Sequence, residues 1–121
     1  VAGWAKSPPS LVALFTETAP HGPGVTYRKM FGYPAAFVNG NMFAGLFQDG
    51  LFVRLGPATR AALEAEYGSH PFAPMPGRPM KDYMLVPEAL LEDEAATERL
   101  LAQALAHASG LPAKEKRANR A

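Results

Sequence analysis

An α+β domain is the fold this sequence predicts: an antiparallel β-sheet of about five strands, two tight hairpins, and helices mostly on one face. Three observations predict it. Two hairpin signals, Asn39-Gly40 and Asp49-Gly50, sit inside a run of strand-forming residues. Segments with a helical apolar period flank that run on both sides. The whole chain has 121 residues, which fits one domain with a core of its own.

SPPSLVALFTETAP, residues 7–20, predicts the first helix, with Ser10 as its cap and Leu11, Leu14 and Phe15 on one face. Ala19-Pro20 and the following His21-Gly22-Pro23-Gly24 end it. VTYRKMF, residues 25–31, is rich in strand formers. Beyond Gly32-Tyr33-Pro34 the chain reads AAFV, then Asn39-Gly40, NMFAGLFQ, Asp49-Gly50 and LFVRL. Two-residue turns set a register in which Val38 faces Asn41, Ala36 faces Phe43, Gln48 faces Leu51 and Phe47 faces Phe52.

Opposed residues share a face of a sheet. One face then carries Ala35, Phe37, Met42, Ala44, Leu46, Leu51, Val53 and Leu55, the expected core beneath helices. The other carries Ala36, Val38, Asn41, Phe43, Gly45, Phe47, Phe52 and Arg54. A solvated face alternates polar residues, and three phenylalanines on this one call for a cover.

GPATRAALEAEYG, residues 56–68, predicts a second helix, with Pro57 at its first position and Gly68 just past its end. Residues 68–79, with four prolines and two glycines, cannot join a central strand and read as a long surface loop pinned by Phe72 and Met75. Residues 80–86 are a last strand, stopped by Pro87. One helix or two in succession then run to Gly110, with Leu101, Ala104, Leu105 and Ala108 as the apolar stripe. The expected organisation is an N-terminal extension at 1–9, a single domain at 10–110 and a basic flexible tail at 111–121.

The formal net charge is +1, from 12 Lys and Arg against 11 Asp and Glu. Four of those cations and one anion lie beyond residue 113, leaving 8 cations against 10 anions in the body. A mildly acidic body argues against a dedicated nucleic-acid surface. The absence of cysteine excludes disulfides, thiolate metal sites and a cysteine nucleophile. No apolar run approaches the ~18 residues of a membrane helix, and the first residues lack the apolar core of a secretory signal. These features together predict a cytoplasmic location.

No serine lies in a nucleophile-elbow context, and no histidine pair has metal spacing. His21, His70 and His107 fall in a loop, a loop and a helix. The acidic residues from Glu88 to Glu98 suit the start of a helix, where the dipole favours negative charge. The expectation is a non-enzymatic chain with no catalytic residue, metal or cofactor. The candidate interaction surface is Arg28, Lys29, Phe43, Phe47, Phe52 and Arg54. Alternation sends Arg28 and Lys29 to opposite faces, where they either protect a sheet edge or stand at the rim of the phenylalanine face.

The stretch RKMFGYPAAFVNGNMFAGLFQDGLFVRL, with the strand and helix that follow, resembles the N-terminal domain of the TfoX/Sxy family. The matching signature is Arg-Lys-Met-Phe-Gly, an Asn-Gly turn, Met-Phe-Ala and an Asp-Gly turn before a strand, over about residues 10 to 109. The resemblance implies a fold similar to secretion chaperones and supplies no catalytic residues. Full-length members are regulators of natural competence that act with the cyclic-AMP receptor protein and carry a second, helical domain. This chain has Tyr33-Pro34 where many relatives carry a Gly-Tyr-Gly type segment, and with its 121 residues ending at Ala121 the expectation is that it lacks that second domain.

The leading expectation is a protein–protein interaction module, an accessory transcriptional regulator. Its partner would be a second copy or a transcription factor of the cyclic-AMP receptor type. One alternative is a small-molecule-binding domain with its pocket between the sheet and residues 68–79. Another is a weak DNA-binding module using Arg28, Lys29 and the tail.

Overall fold

The computed structural model describes residues 8–30, 32–75 and 78–113. Residues 1–7, Phe31, Pro76, Gly77 and the basic residues from Lys114 onward, which fall within the expectations above, lie outside that description. The order of elements is α1 (Pro9–Thr18), β1 (Val25–Met30), β2 (Tyr33–Val38), β3 (Asn41–Phe47), β4 (Gly50–Arg54), α2 (Pro57–Tyr67), β5 (Pro71–Met75), β6 (Arg78–Leu85), α3 (Glu88–Leu91) and α4 (Glu94–Ser109). The α+β class is as predicted. The sheet has six strands rather than five, in the order β1-β2-β3-β4-β6-β5, and every neighbouring pair is antiparallel. α4 lies over β2, β3 and β4, with α1 beside it.

The added strand is β5, from the segment read as a surface loop. Its prolines are tolerated because β5 is an edge strand with only β6 as neighbour. The pairing is irregular, with register shifts after Pro71 and after Phe72. Both ends of α2 follow the expected chemistry, α4 gains a cap that was not foreseen, and the start of α1 departs from the expectation. Pro57 opens α2, and Gly68 closes it in the left-handed conformation at φ 70°. Asp93 separates α3 from α4 and caps α4 by accepting a hydrogen bond from the Ala96 amide at 3.1 Å. α1, however, starts at Pro9 with Pro8 as its N-cap, and Ser10 already lies inside the helix. Pro9 has no N–H to satisfy, and the Leu11 amide donates to the Pro8 carbonyl at 3.0 Å, which takes up a donor that a hydroxyl cap would otherwise serve.

The first hairpin turn is as predicted: Asn39 and Gly40 both have positive φ, at 51° and 83°. The second is displaced. Its loop is Gln48-Asp49, with Gln48 at φ 55° and Phe47 opposite Gly50. This two-residue shift places Gly45, not Phe47, opposite Phe52. A Cβ at Gly45 would lie 2.7 Å from the Phe52 ring, so the ring occupies space that only glycine leaves open. Because the shift is even, no side chain on β4 changes face.

A β-bulge has the larger consequence. Val38 pairs with Asn41 and Phe37 with Met42, but Ala36 then pairs with Ala44 and Ala35 with Gly45. Phe43 is the extra residue in β3, so Ala36 does not face it. One extra residue reverses the phase of the pairing. Tyr33, Ala35 and Phe37 therefore share the face of Gly45, Phe47 and Phe52. Ala36 and Val38 instead join Ala44, Leu46, Leu51 and Val53 under the helices. Asn41, on that side, donates from Nδ2 to the Pro112 carbonyl beyond α4 at 3.0 Å. Small residues at this interface, with Ala104 and Ala108 from α4, are all fully or nearly fully buried.

Candidate functional site

The sheet face away from α4 carries an aromatic cluster. Phe52 stands at its centre, with the ring of Phe72 stacked on it at 4.2 Å between centroids and 6° between planes. Tyr83 meets Phe52 edge-on at 5.7 Å. Phe47 meets Phe72 at 5.6 Å and Tyr33 at 5.2 Å. Two strand spacings in a flat sheet would be ~10 Å, so Phe72 reaches across β6 to lie on Phe52. It thereby covers the face from within the chain.

That cover decides the status of the three predicted phenylalanines. Phe43, Phe47 and Phe52 are 0%, 9% and 4% exposed. They are core residues, and Phe72 closes the expected apolar docking face over Phe47 and Phe52. Sequence reasoning placed Phe72 nearby but treated its segment as a loop. Tyr33 and Phe37 were missed because the bulge carries no turn residue to announce it, and Tyr83 because no short turn fixes the register of β6 against β4.

Arg54 lies on the same face but is engaged. Its Nη2 is 3.3 Å from Asp82 Oδ2, and its guanidinium stands 5.5 Å from the centre of the Tyr83 ring. Arg60 Nη1, on α2, is 3.4 Å from the other Asp82 oxygen and also donates to the Leu55 carbonyl. These partly exposed pairs join β4 and α2 to β6 more by geometry than by energy, since such pairs contribute about 1 kcal/mol or less. Tyr83 donates its hydroxyl proton to the Met42 carbonyl at 2.9 Å. Burial raises its pKa above the ordinary value of 10, and Asp82 adds to the rise while Arg54 opposes it.

Arg28 and Lys29 remain at the surface, on β1 at the outer edge of the sheet. Arg28 pairs across to Ala35 and lies over the Phe37 ring at 4.1 Å, on the aromatic face. Lys29 pairs with Pro34 and so points to the other face. β1 and β4 are three strand spacings apart, ~14 Å, so Arg28 and Arg54 do not form one rim. The six predicted residues thus separate into a buried cluster, an ion-paired arginine and an exposed edge. Tyr27 is 39% exposed on that edge; its hydroxyl donates to the Pro20 carbonyl, and its ring meets His21 at 5.2 Å.

A cleft of about 570 Å³ opens at the far side of the sheet, between the β3–β4 turn, β5 and α3. Phe47, Phe72, Leu85 and Leu91 line it, with Asp49 and Glu88 as its charged residues. Of residues 68–79, which were expected to form a pocket with the sheet, Phe72 and Ala73 are among its lining residues. His21 and His70 fall toward opposite edges of the sheet, before β1 and β5 respectively. Among the described residues, no three His, Asp or Glu side chains form a group able to hold a metal ion. No helix of the described residues is long and apolar enough to cross a membrane.

Fold and surface together define an α+β domain built on one open antiparallel sheet, with its aromatic face closed by its own edge strand. The model of the TfoX N-terminal domain family matches residues 17–108, and the chain belongs to that family. No curated protein matches the chain at a significant level.

Proposed function

We propose that this chain is a non-enzymatic protein–protein interaction module that serves in the cytoplasm as an accessory transcriptional regulator and engages its partner along the outer edge of β1. One observation carries the reading: β1 has a strand neighbour on one side only, and Thr26, Tyr27, Arg28 and Lys29 are all exposed. The free side of an edge strand presents N–H and C=O groups that a partner strand can pair with. Two adjacent cations disfavour antiparallel pairing with a second copy, which would bring four cations together. They favour an acidic extended segment. Family membership makes a transcription factor of the cyclic-AMP receptor type the first partner to test.

The test is a photo-crosslinking residue at Thr26 in the full chain, in cells, compared with the same chain carrying Arg28→Glu and Lys29→Glu. A discrete protein adduct that the charge reversals abolish, with thermal stability unchanged, is the expected result. An adduct indifferent to the reversals, or none at all, would refute the reading.

A further inference from the structure

The backbone of β1 dictates how a partner strand can bond to it. In an antiparallel pair, every second residue turns its N–H and C=O toward the neighbouring strand, and the residues between turn theirs away. The Asn39 amide donates to the Gly24 carbonyl at 3.0 Å, and the register runs on from there, through Val25 opposite Val38 to Met30 opposite Tyr33. Gly24, Thr26, Arg28 and Met30 therefore bond inward to β2, while Val25, Tyr27 and Lys29 turn outward. Two further facts agree with this parity. Pro34, which has no N–H to give, lies opposite Lys29, where the parity asks for no bond. The Val25 amide donates to the Gly22 carbonyl at 3.1 Å, away from β2.

The free edge is therefore short. It offers the amides of Tyr27 and Lys29 and the carbonyls of Val25, Tyr27 and Lys29, and no strand of the described residues lies on that side. The side chains divide by the same alternation. Tyr27, opposite Ala36, and Lys29 stand on the helix side of the sheet, and Arg28 on the aromatic side. The Tyr27 ring is tied to the loop before β1 by its bond to the Pro20 carbonyl and its contact with His21. The Arg28 guanidinium leans inward over Phe37 on β2.

Resting on the edge-strand reading above, we infer that the partner segment runs antiparallel to β1, bonds to it at Tyr27 and Lys29, and carries two adjacent acidic residues followed by a β-branched one. The first acid lies opposite Lys29, in a bonded pair on the helix side. The second lies opposite Arg28 on the aromatic side, in a non-bonded pair, where side chains stand closer. Glutamate suits this second position, because the guanidinium it must reach leans away from the edge. The third residue lies opposite Tyr27, where a β-branched side chain packs on the ring. Adjacent acids fit because the two cations are themselves adjacent and point to opposite faces. The direction follows from the greater stability of antiparallel pairing per residue, which every neighbouring pair in this sheet already uses.

The probe is a peptide blocked at both ends, Ser-Glu-Glu-Val-Thr-Val-Ser, titrated into the isotope-labelled full chain and followed by amide hydrogen exchange. In the free chain the Tyr27 and Lys29 amides should exchange fast, and those of Thr26 and Arg28 slowly. Bound peptide should slow Tyr27 and Lys29. N-methylation of the first valine removes the donor aimed at the Tyr27 carbonyl and should weaken binding about tenfold or more. N-methylation of the second glutamate points the methyl away from β1 and should leave affinity nearly unchanged. The reversed sequence should bind more weakly. Equal weakening by the two methyl groups, fast exchange of Thr26 and Arg28 in the free chain, or equal binding of the reversed sequence would overturn the inference. No binding of the peptide while the Thr26 adduct still forms would overturn it too, leaving the edge reading in place. Loss of the adduct as well would take both.

Discussion

Truncating Phe72 to alanine tests whether residues 71–75 close the aromatic face or merely decorate it. Phe72 is 5% exposed, stacked on Phe52 and edge-on to Phe47. Burying a phenylalanine side chain contributes about 1.5–3 kcal/mol. Each well-oriented ring pair adds about 0.5–1.5 kcal/mol. The removed ring would leave a cavity, but β5 is an edge strand that can settle inward and recover part of the loss. The expected cost is therefore about 3 kcal/mol, the low end for a core Phe→Ala change. For a chain of this size that lowers Tm by about 12 °C, at about 4 °C per kcal/mol.

Urea denaturation followed by circular dichroism measures it, with an unchanged slope showing that compactness is retained. A double-mutant cycle with Phe52→Leu should return a coupling of about 1 kcal/mol for the stacked pair. A cost below about 1 kcal/mol would refute the reasoning, because an exposed surface phenylalanine loses no more than that. The 71–75 segment would then behave as the loop that its prolines suggest.

Two further outcomes follow from the same face. Gly45→Ala should destabilise by about 1–3 kcal/mol, since the new methyl meets the Phe52 ring; in a Phe52→Leu background the cost should shrink, and equal costs in both backgrounds would show that the contact is not the cause. Tyr83 holds its proton more tightly folded than unfolded, so its contribution is fully present below pH 10 and is lost as pH rises through its raised value. Tyr83→Phe should cost about 1 kcal/mol near neutral pH, through the lost bond to the Met42 carbonyl. It should also flatten the alkaline decline above pH 10, leaving the smaller share of Tyr27, whose burial shifts it the same way. An alkaline profile identical to wild type would assign the decline to other groups.

The elements themselves were legible in the chain because their causes are local. Asn39-Gly40 makes a turn whatever surrounds it, since both residues accept positive φ. Pro57 and Gly68 bound α2 for reasons internal to three or four residues. The family signature runs through the same strands and hairpins, which is why it identified the fold and left the activity open. The exposed edge at Arg28 and Lys29 was also legible, as cations alternating on a strand.

Two non-local facts overturned the rest. A β-bulge needs a partner strand to be defined at all, and Phe43 carries no local mark of being the unpaired residue. Parity then reassigns every residue of β2, bringing Tyr33 and Phe37 to the aromatic face. The Phe52–Phe72 stack joins residues twenty positions apart across an intervening strand.

By itself, then, the sequence determined the α+β class, most of the strands, most of the helix limits and the cations on β1, because turn and cap energies depend on neighbours along the chain. Only the tertiary structure decided which residues share a face and what covers Phe47 and Phe52. Those outcomes depend on contacts between segments that meet only once the sheet has closed.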